Sequence, residues 1–486
     1  MSQYDVVFVG SSPNALAGAA RLARHGKKVL VLDSREALGG PVATEEFAPG
    51  FRADTALAGV ALDAEVAAEL GVSVEVVPRE TVTVLAPEPV TVGRPSLPQA
   101  AADAVDLLRA MARTAAPSLP VPSAGDAAAL GELGSRLLGL GERRMHEVLR
   151  LLFMPARDFA LETGLARADA AVLCAGAVRA VSEGPFAPGT LYNYLYHEAA
   201  GDGLFGPTAR GGLNGLAGAL ADSARSSGVE LRTGAGTLSV DVRDGVAHGV
   251  YSNGERIGAG AVVSDLDVRA TFTRLVPAHE LPPETNRDIR NLRYRGSVAR
   301  VHLALNELPR FNGVSGDALR GTLMVGPDIA SLERAWDQAK RGAVPAQPHI
   351  EVTLPSVSDP GLAPEGRHVL SAWVQYVPHG RGDREALARR VIDRLAAFAP
   401  GLGEQVLHHK VLLPDDLESR FGLTEGHLYG GEINLAQAFF LRGAPGCVHH
   451  RTPIENLWLG GSAAHPGGHG GRSGWSVASA LLLTAS

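Results

Sequence analysis

The residues best suited to chemistry lie near the start of the chain. Gly10-Ser11-Ser12-Pro13-Asn14-Ala15 joins the apolar run Val6-Val7-Phe8-Val9 to an Ala- and Leu-rich helical pattern. A tight strand-to-helix turn needs small residues so that backbone N–H groups at a helix N-terminus can approach a pyrophosphate. Against the pattern G-x-G-x-x-G, Ser12 replaces the second glycine and Ala15 the third. Ala is an accepted third residue, and the Ser12 hydroxyl is itself a hydrogen-bond donor. Gly10, Ser12, Pro13, Asn14 and Ala15 are therefore the first candidate cofactor-binding residues. Asp33 ends the next apolar run, 23 residues after Gly10, close to the offset of about 20 at which a carboxylate meets a ribose hydroxyl. An acid there disfavours a 2′-phosphate. Ser34 and Arg35 follow it, and Gly39-Gly40 form a pair that allows close backbone approach to a ligand.

A second constellation lies hundreds of residues away. Asn456-Leu457-Trp458-Leu459 runs into Gly460-Gly461-Ser462 and then Ala463-Ala464-His465-Pro466-Gly467-Gly468-His469-Gly470-Gly471, before a helical pattern over Ser473 to Leu483. Two strand-glycine-helix crossings suit an extended cofactor with a second phosphate, ribitol and ring arm to hold, which is a flavin dinucleotide. Gly461, Ser462, Pro466, Gly467 and Gly468 become candidates to make room for ribitol and isoalloxazine. His465 is read as orienting this loop near the ring, against the plainer alternative of a histidine satisfied by local backbone. His465 and His469 are four apart and His449-His450 lie nearby, but Pro466-Gly467-Gly468 between them is no helix that would put both rings on one face. No metal is expected. Neither a Ser-His-Asp order, a Walker-type loop nor paired glycosidase carboxylates can be picked out, and no residue is singled out as a catalytic base.

These residues must be positioned by elements. Tyr4 to Gly10, the helix Asn14 to His25 closed by Gly26, and Lys27 to Asp33 read as a βαβ unit, hence a parallel sheet with a right-handed crossover. Pro78 to Pro98, rich in Val and Thr, suggests strands leaving this domain. About Ala100 to Ala200 is mostly helical, broken by a Pro117 to Pro122 linker. Within it lies a cluster of Tyr192, Tyr194, Tyr196 and His197 whose tyrosines alternate by two, which suits one face of a half-buried strand or a substrate cavity. A helix follows Arg210-Gly211-Gly212-Leu213. Leu238 to Arg243 and Val246 to Tyr251 form a hairpin at Asp244-Gly245, Ala261 to Ser264 is a short buried strand, and Arg295 to Pro414 is a second excursion. The 486 residues suffice for two domains. Acidic residues exceed basic ones, 52 to 45, which argues against a nucleic-acid partner. Cys174 and Cys447 cannot build a disulfide framework, no signal peptide is evident at the N-terminus, and no apolar run reaches the roughly 18 residues of a membrane-spanning helix. A cytoplasmic location is expected, with peripheral contact with a bilayer left open.

Taken in order, Val9-Gly10-Ser11-Ser12-Pro13-Asn14-Ala15-Leu16, Val31-Leu32-Asp33, Gly39-Gly40, Thr44-Glu45-Glu46, Pro49-Gly50-Phe51, Arg210-Gly211-Gly212-Leu213, Ala261-Val262-Val263-Ser264 and Gly461 to Gly468 make the chain resemble the phytoene desaturase-like flavoproteins of the wider amine oxidase class. The resemblance covers essentially the whole chain. Ser12, Ala15, Asp33, Pro41 and His469-Gly470 depart from the usual residues. It implies an α/β fold, a Rossmann-like FAD-binding domain of glutathione reductase type with an inserted α+β substrate domain: residues 1-90, 205-290 and 415-486 for FAD, 91-204 and 291-414 for substrate. It also implies backbone near Leu238 at the adenine, and an FAD-dependent oxidoreductase, dehydrogenase, desaturase or oxidase, moving hydride from a terpenoid or amine to flavin N5. Oxygen or a quinone would be the acceptor. A redox-neutral isomerase and a catalytically silent flavin-binding scaffold are the alternatives, and a homodimer is left open.

Overall fold

A computed structural model describes residues 3–114, 124–326, 328–438, 441–447 and 449–484; the Pro117 to Pro122 linker lies outside them. Tyr4–Val9, Val29–Leu32 and Glu230–Arg232 pair in parallel, and on the other side Tyr4–Val9 pairs in parallel with the far half of Glu255–Ser264. Leu457–Leu459 adds a further parallel strand beside Glu255–Ser264. The near half of that long strand turns antiparallel and carries the hairpin Leu238–Arg243 and Val246–Ser252. Asp244 and Gly245 both take positive φ, 53° and 74°, as a two-residue hairpin turn demands. The central strands are apolar on both faces because helices cover them: Pro13–Arg24 on one side packs with Arg472–Thr484 and Leu213–Ser226.

The second sheet runs Val406–Leu412, Val298–Leu305, His368–Gln375, His349–Thr353, Thr322–Val325, Val82–Leu85, Val90–Val92. The chain has thus crossed into it by Val82, before the boundary expected at residue 90, because Val82–Leu85 finds a parallel partner in Thr322–Val325. Alternation sorts its faces. Ala299, Val301, Leu303, Ile350, Val352, Leu370, Ala372 and Val374 join the helix Arg384–Ala396 in one apolar core. The opposite face carries Arg300, His302, Glu351, Ser371, Trp373 and Gln375, all buried as well.

Helices of the 99–200 stretch, among them Gln99–Arg113 and Thr190–Ala200, pack against one another and wall the second of the two cavities described below. The tyrosine cluster is therefore helical, not a strand. Thr190–Ala200 places Tyr192 and Tyr196 one turn apart on a single face, with ring centroids 6.3 Å apart, whereas Tyr194 turns elsewhere. A spacing of two could not separate these cases, since alternate residues in a helix diverge while i and i+4 meet.

Candidate cofactor and substrate site

The carboxyl ends of the parallel strands meet at a cavity of about 400 Å3, the place where open α/β sheets receive ligands. Gly10, Ser12, Asp33, Ser34, Arg35, Gly40, Leu238 and Ser462 all line it. Gly10 has φ +106°, open to glycine and strained for any other residue. Ser12 caps the opening helix, its Oγ accepting from Asn14 N at 3.2 Å.

Asp33 is buried at the cavity wall, but its carboxylate is already engaged. Oδ1 accepts from Arg35 N at 2.9 Å, Oδ2 from Arg35 Nη2 at 3.0 Å, and Ser11 Oγ donates to Oδ2 as well. The Arg35 guanidinium, about a quarter exposed, thus lies between this carboxylate and solvent.

Sequence reasoning passed over Asp265, which lines the same cavity. Its Oδ2 accepts from Ser12 N at 2.7 Å and its Oδ1 from Ser12 Oγ at 2.6 Å, so a carboxylate occupies the loop amide that a phosphate would seek. Burial pushes its pKa up to about 7, against the two Ser12 hydrogen bonds that favour the anion, and Asp33 adds to the rise. The signal was available: Asp265 directly follows Ser264, the end of a strand predicted to be buried, and such ends converge on the ligand crevice. Ser419 to Leu423 also reach the cavity; nothing in their sequence distinguished them.

Asn14, Ala15, Pro13, Gly39 and Gly461 support the site from outside the cavity. Asn14 Nδ2 donates to Gly468 O at 2.9 Å, tying the N-terminal turn to the C-terminal loop. Ala15 and Pro13 are buried in the opening helix. A Cβ on Gly39 would stand 2.6 Å from Val42 O, and one on Gly461 2.1 Å from Asp265 O. Both glycines let backbone approach backbone.

His465, Pro466, Gly467 and Gly468 line a second cavity of about 250 Å3, with Val60, Leu62, Leu108, Met111, Tyr192 and Tyr196. The His465 ring bonds Met111 O and Thr114 O, both at 3.0 Å, so it anchors the loop to the end of Gln99–Arg113. A Cβ at Gly467 would meet Tyr196 OH at 2.7 Å and Arg442, whereas one at Gly468 meets only Tyr196 OH at 3.8 Å. Only Gly468 faces open space. Tyr196 OH in turn donates to Pro466 O at 3.2 Å. His450, His465 and His469 each go to a different backbone carbonyl, an arrangement of anchors and not of metal ligands.

His469 lines both cavities. Its Nε2–H donates to Leu428 O at 2.6 Å, burial lowers its pKa, and the ring is thus neutral with Nδ1 a bare acceptor. That Nδ1 is buried without a partner. An orphaned acceptor where the crevice meets the second cavity fits a cofactor ring bearing an N–H group.

The crevice on the Rossmann-type sheet, together with the family matches that follow, makes the protein a flavin-dependent oxidoreductase. Residues 172–482 match the model of the flavin containing amine oxidoreductases, and residues 9–70 that of an NAD(P)-binding Rossmann-like domain. The chain belongs to the flavin containing amine oxidoreductase family, and its cofactor is FAD. It is 29% identical to mouse pyridine nucleotide-disulfide oxidoreductase domain-containing protein 2, over 96% of this chain and 91% of that one. It is 26% identical to the neurosporene-forming phytoene desaturase of Cereibacter sphaeroides, over 53% of this chain and 50% of that one. Putrescine oxidase bound to putrescine has the same fold, with a TM-score of 0.60 at 17% identity, covering 99% of both chains.

Proposed function

We propose that the protein is an FAD-dependent dehydrogenase of the phytoene desaturase-like branch, acting on an apolar, terpenoid-like substrate in the 250 Å3 cavity. The observation that carries this reading is the state of that cavity's polar groups. Asp63 is held by Arg472 at 3.0 Å and Asp202 by His197 at 2.7 Å, and His465 is spent on two carbonyls. These carboxylates already have partners and so offer little to the ammonium group of an amine. The guanidiniums of Arg109, Arg113 and Arg472 line the same cavity and would repel an ammonium group, while its aliphatic and tyrosine wall offers an oily surface to a hydrocarbon chain.

When bound, FAD supplies the acceptor for a hydride at its N5. The residues proposed to hold it are Gly10, Ser12, Ser34, Gly40 and Ser462 along the crevice, Leu238 beside the adenine, and Gly468 with His469 at the ring. Asn14 fixes the distance between the two glycine loops. Asp33 and Arg35 form a gate over the ribose position. Tyr192 and Tyr196 exclude water from the substrate side, and Gly467, Pro466 and His465 hold the loop that divides the cavities. The segments 1-90, 205-290 and 415-486, less the strands from Val82, are proposed as the cofactor domain.

The test is anaerobic reduction of the FAD-loaded protein by a panel of isoprenoid polyenes in detergent micelles and of primary and cyclic amines. Bleaching of the visible flavin band by polyenes and not by amines is expected. Bleaching by amines alone would overturn the substrate reading and leave the FAD site intact; bleaching by no member would favour the silent scaffold.

A further inference from the structure

A buried cation, Arg442, backs the loop that divides the two cavities. It is 7% exposed. Its Nη2 donates to Ser462 O at 2.7 Å and also to Tyr429 O, and its Nε is buried with no partner. Among the described residues both of its acceptors are carbonyls, and no carboxylate forms an ion pair with it. The guanidinium lies directly against the loop, since a Cβ at Gly467 would stand 2.9 Å from both its Cζ and its Nε. Ser462 lines the crevice and Gly467 the second cavity, so the charge sits behind the backbone that separates them.

Two carbonyls would be served by a neutral amide, and burying an amide costs far less than burying a charge. The charge itself therefore asks for a use. Arginine also keeps its proton where a buried lysine would lose it. The rings on this loop and across from it already register the charge. Burial is the larger cause at each, lowering the pKa of His465 and His469 and raising that of Tyr192 and Tyr196, and at all four Arg442 adds a downward pull. Asp202 pulls upward at His469 and Tyr196. It lies on the substrate side of the loop, in the wall of the second cavity, and pairs there with His197 at 2.7 Å.

We propose that Arg442 raises the reduction potential of the bound flavin. A hydride brings the ring two electrons and one proton: an N5–H bond forms, and the ring is left with one negative charge. A fixed positive charge across a single stretch of loop, in an interior of low dielectric, favours that form over the neutral oxidised ring. Arg442 lines neither large cavity, so it acts as a positioning residue, through its charge and the loop it ties, and not by contact with substrate. The inference rests on the placement of the ring at Gly468 and His469 proposed above, and on no choice of substrate.

The experiment measures the two-electron midpoint potential of the FAD-loaded protein against reference dyes at pH 7, without substrate, in the wild type, Arg442→Gln and Arg442→Lys. Glutamine keeps a donor for a carbonyl and loses the charge; lysine keeps the charge and loses the fork. In Arg442→Gln the equilibrium should move about tenfold or more toward oxidised flavin, a fall of about 30 mV or more for two electrons. Arg442→Lys should stay within about threefold of the wild type. Where a variant holds FAD weakly, its apoprotein is titrated separately with oxidised and with reduced FAD, and the ratio of the two dissociation constants gives the same shift. Equal potentials in the wild type and Arg442→Gln, or equal falls in Arg442→Gln and Arg442→Lys, would leave Arg442 as a tie for the loop and overturn the proposal. His469→Ala, run alongside, tests the placement on its own. An unchanged flavin spectrum there would remove the ring from this loop, whereas a shifted spectrum with a potential indifferent to Arg442 would sink this inference alone.

Discussion

Asp265 and His469 both line the crevice proposed for the cofactor. Asp265 has a pKa raised from 3.8 to about 7 in the folded chain, so the proton it keeps stabilises the apoprotein at low pH, and that stabilisation is lost as pH rises from about 4 through 7. The anion also faces the position proposed for the pyrophosphate. FAD binding should therefore take up a proton: affinity is flat below about pH 6 and falls by up to about tenfold per unit above 7. Asp265→Asn should give a flat profile and tighter binding at pH 8, read by quenching of flavin fluorescence. A wild-type profile that tightens with rising pH would place the pyrophosphate elsewhere. His469 is tested by spectrum: His469→Ala should retain FAD but shift its visible bands, while an unchanged spectrum would remove Nδ1 from the ring's surroundings.

The opening and closing helices act as one element. A Cβ on Gly474 would lie 1.7 Å from Asn14 O, and one on Gly18 2.5 Å from Gly474 O, so glycines let the two backbones touch. Gly474→Ala must part the helices and, through Asn14, pull on the Gly468 loop. A loss of about 1–3 kcal/mol in stability, typical of forced overpacking, should come with weaker FAD binding. Gly218→Ala on the open face of Leu213–Ser226, where nothing lies within 4 Å, should instead gain up to about 1 kcal/mol. Denaturant unfolding of the two variants, with and without FAD, checks both. Elements of this kind were legible in the sequence: the first βαβ unit, the Asp244-Gly245 hairpin and the C-terminal strand and helix all carry local signals of period and turn chemistry. What was not legible is set by contact between distant residues. Asp265 meets Ser12 across 253 positions, Ser419 to Leu423 reach the crevice from another sheet's flank, and the tyrosines' period was ambiguous until a helix fixed which of them share a face.

At the scale of the whole molecule, both cysteines, Cys174 and Cys447, are buried, and burial pushes each thiol up to about 12. Neither lines the two large cavities. The purified protein should be yellow with FAD held noncovalently, acid precipitation should release all of the flavin, and a thiol reagent should titrate no cysteine until the chain is denatured and then two. Flavin remaining with the precipitate would contradict this. The cofactor sheet is stitched from both ends of the described chain, since Leu457–Leu459 is laid beside Glu255–Ser264 and Arg472–Thr484 beside Pro13–Arg24. Synthesis runs in one direction, so a ribosome that has delivered the entire first βαβ unit has still delivered no ring-side loop. The nascent N-terminal half must wait, unliganded and with one helix face uncovered, through the translation of some four hundred further residues. A chain halted before Leu457 lacks both a strand of this sheet and the loop proposed to face the ring, and is expected not to capture flavin.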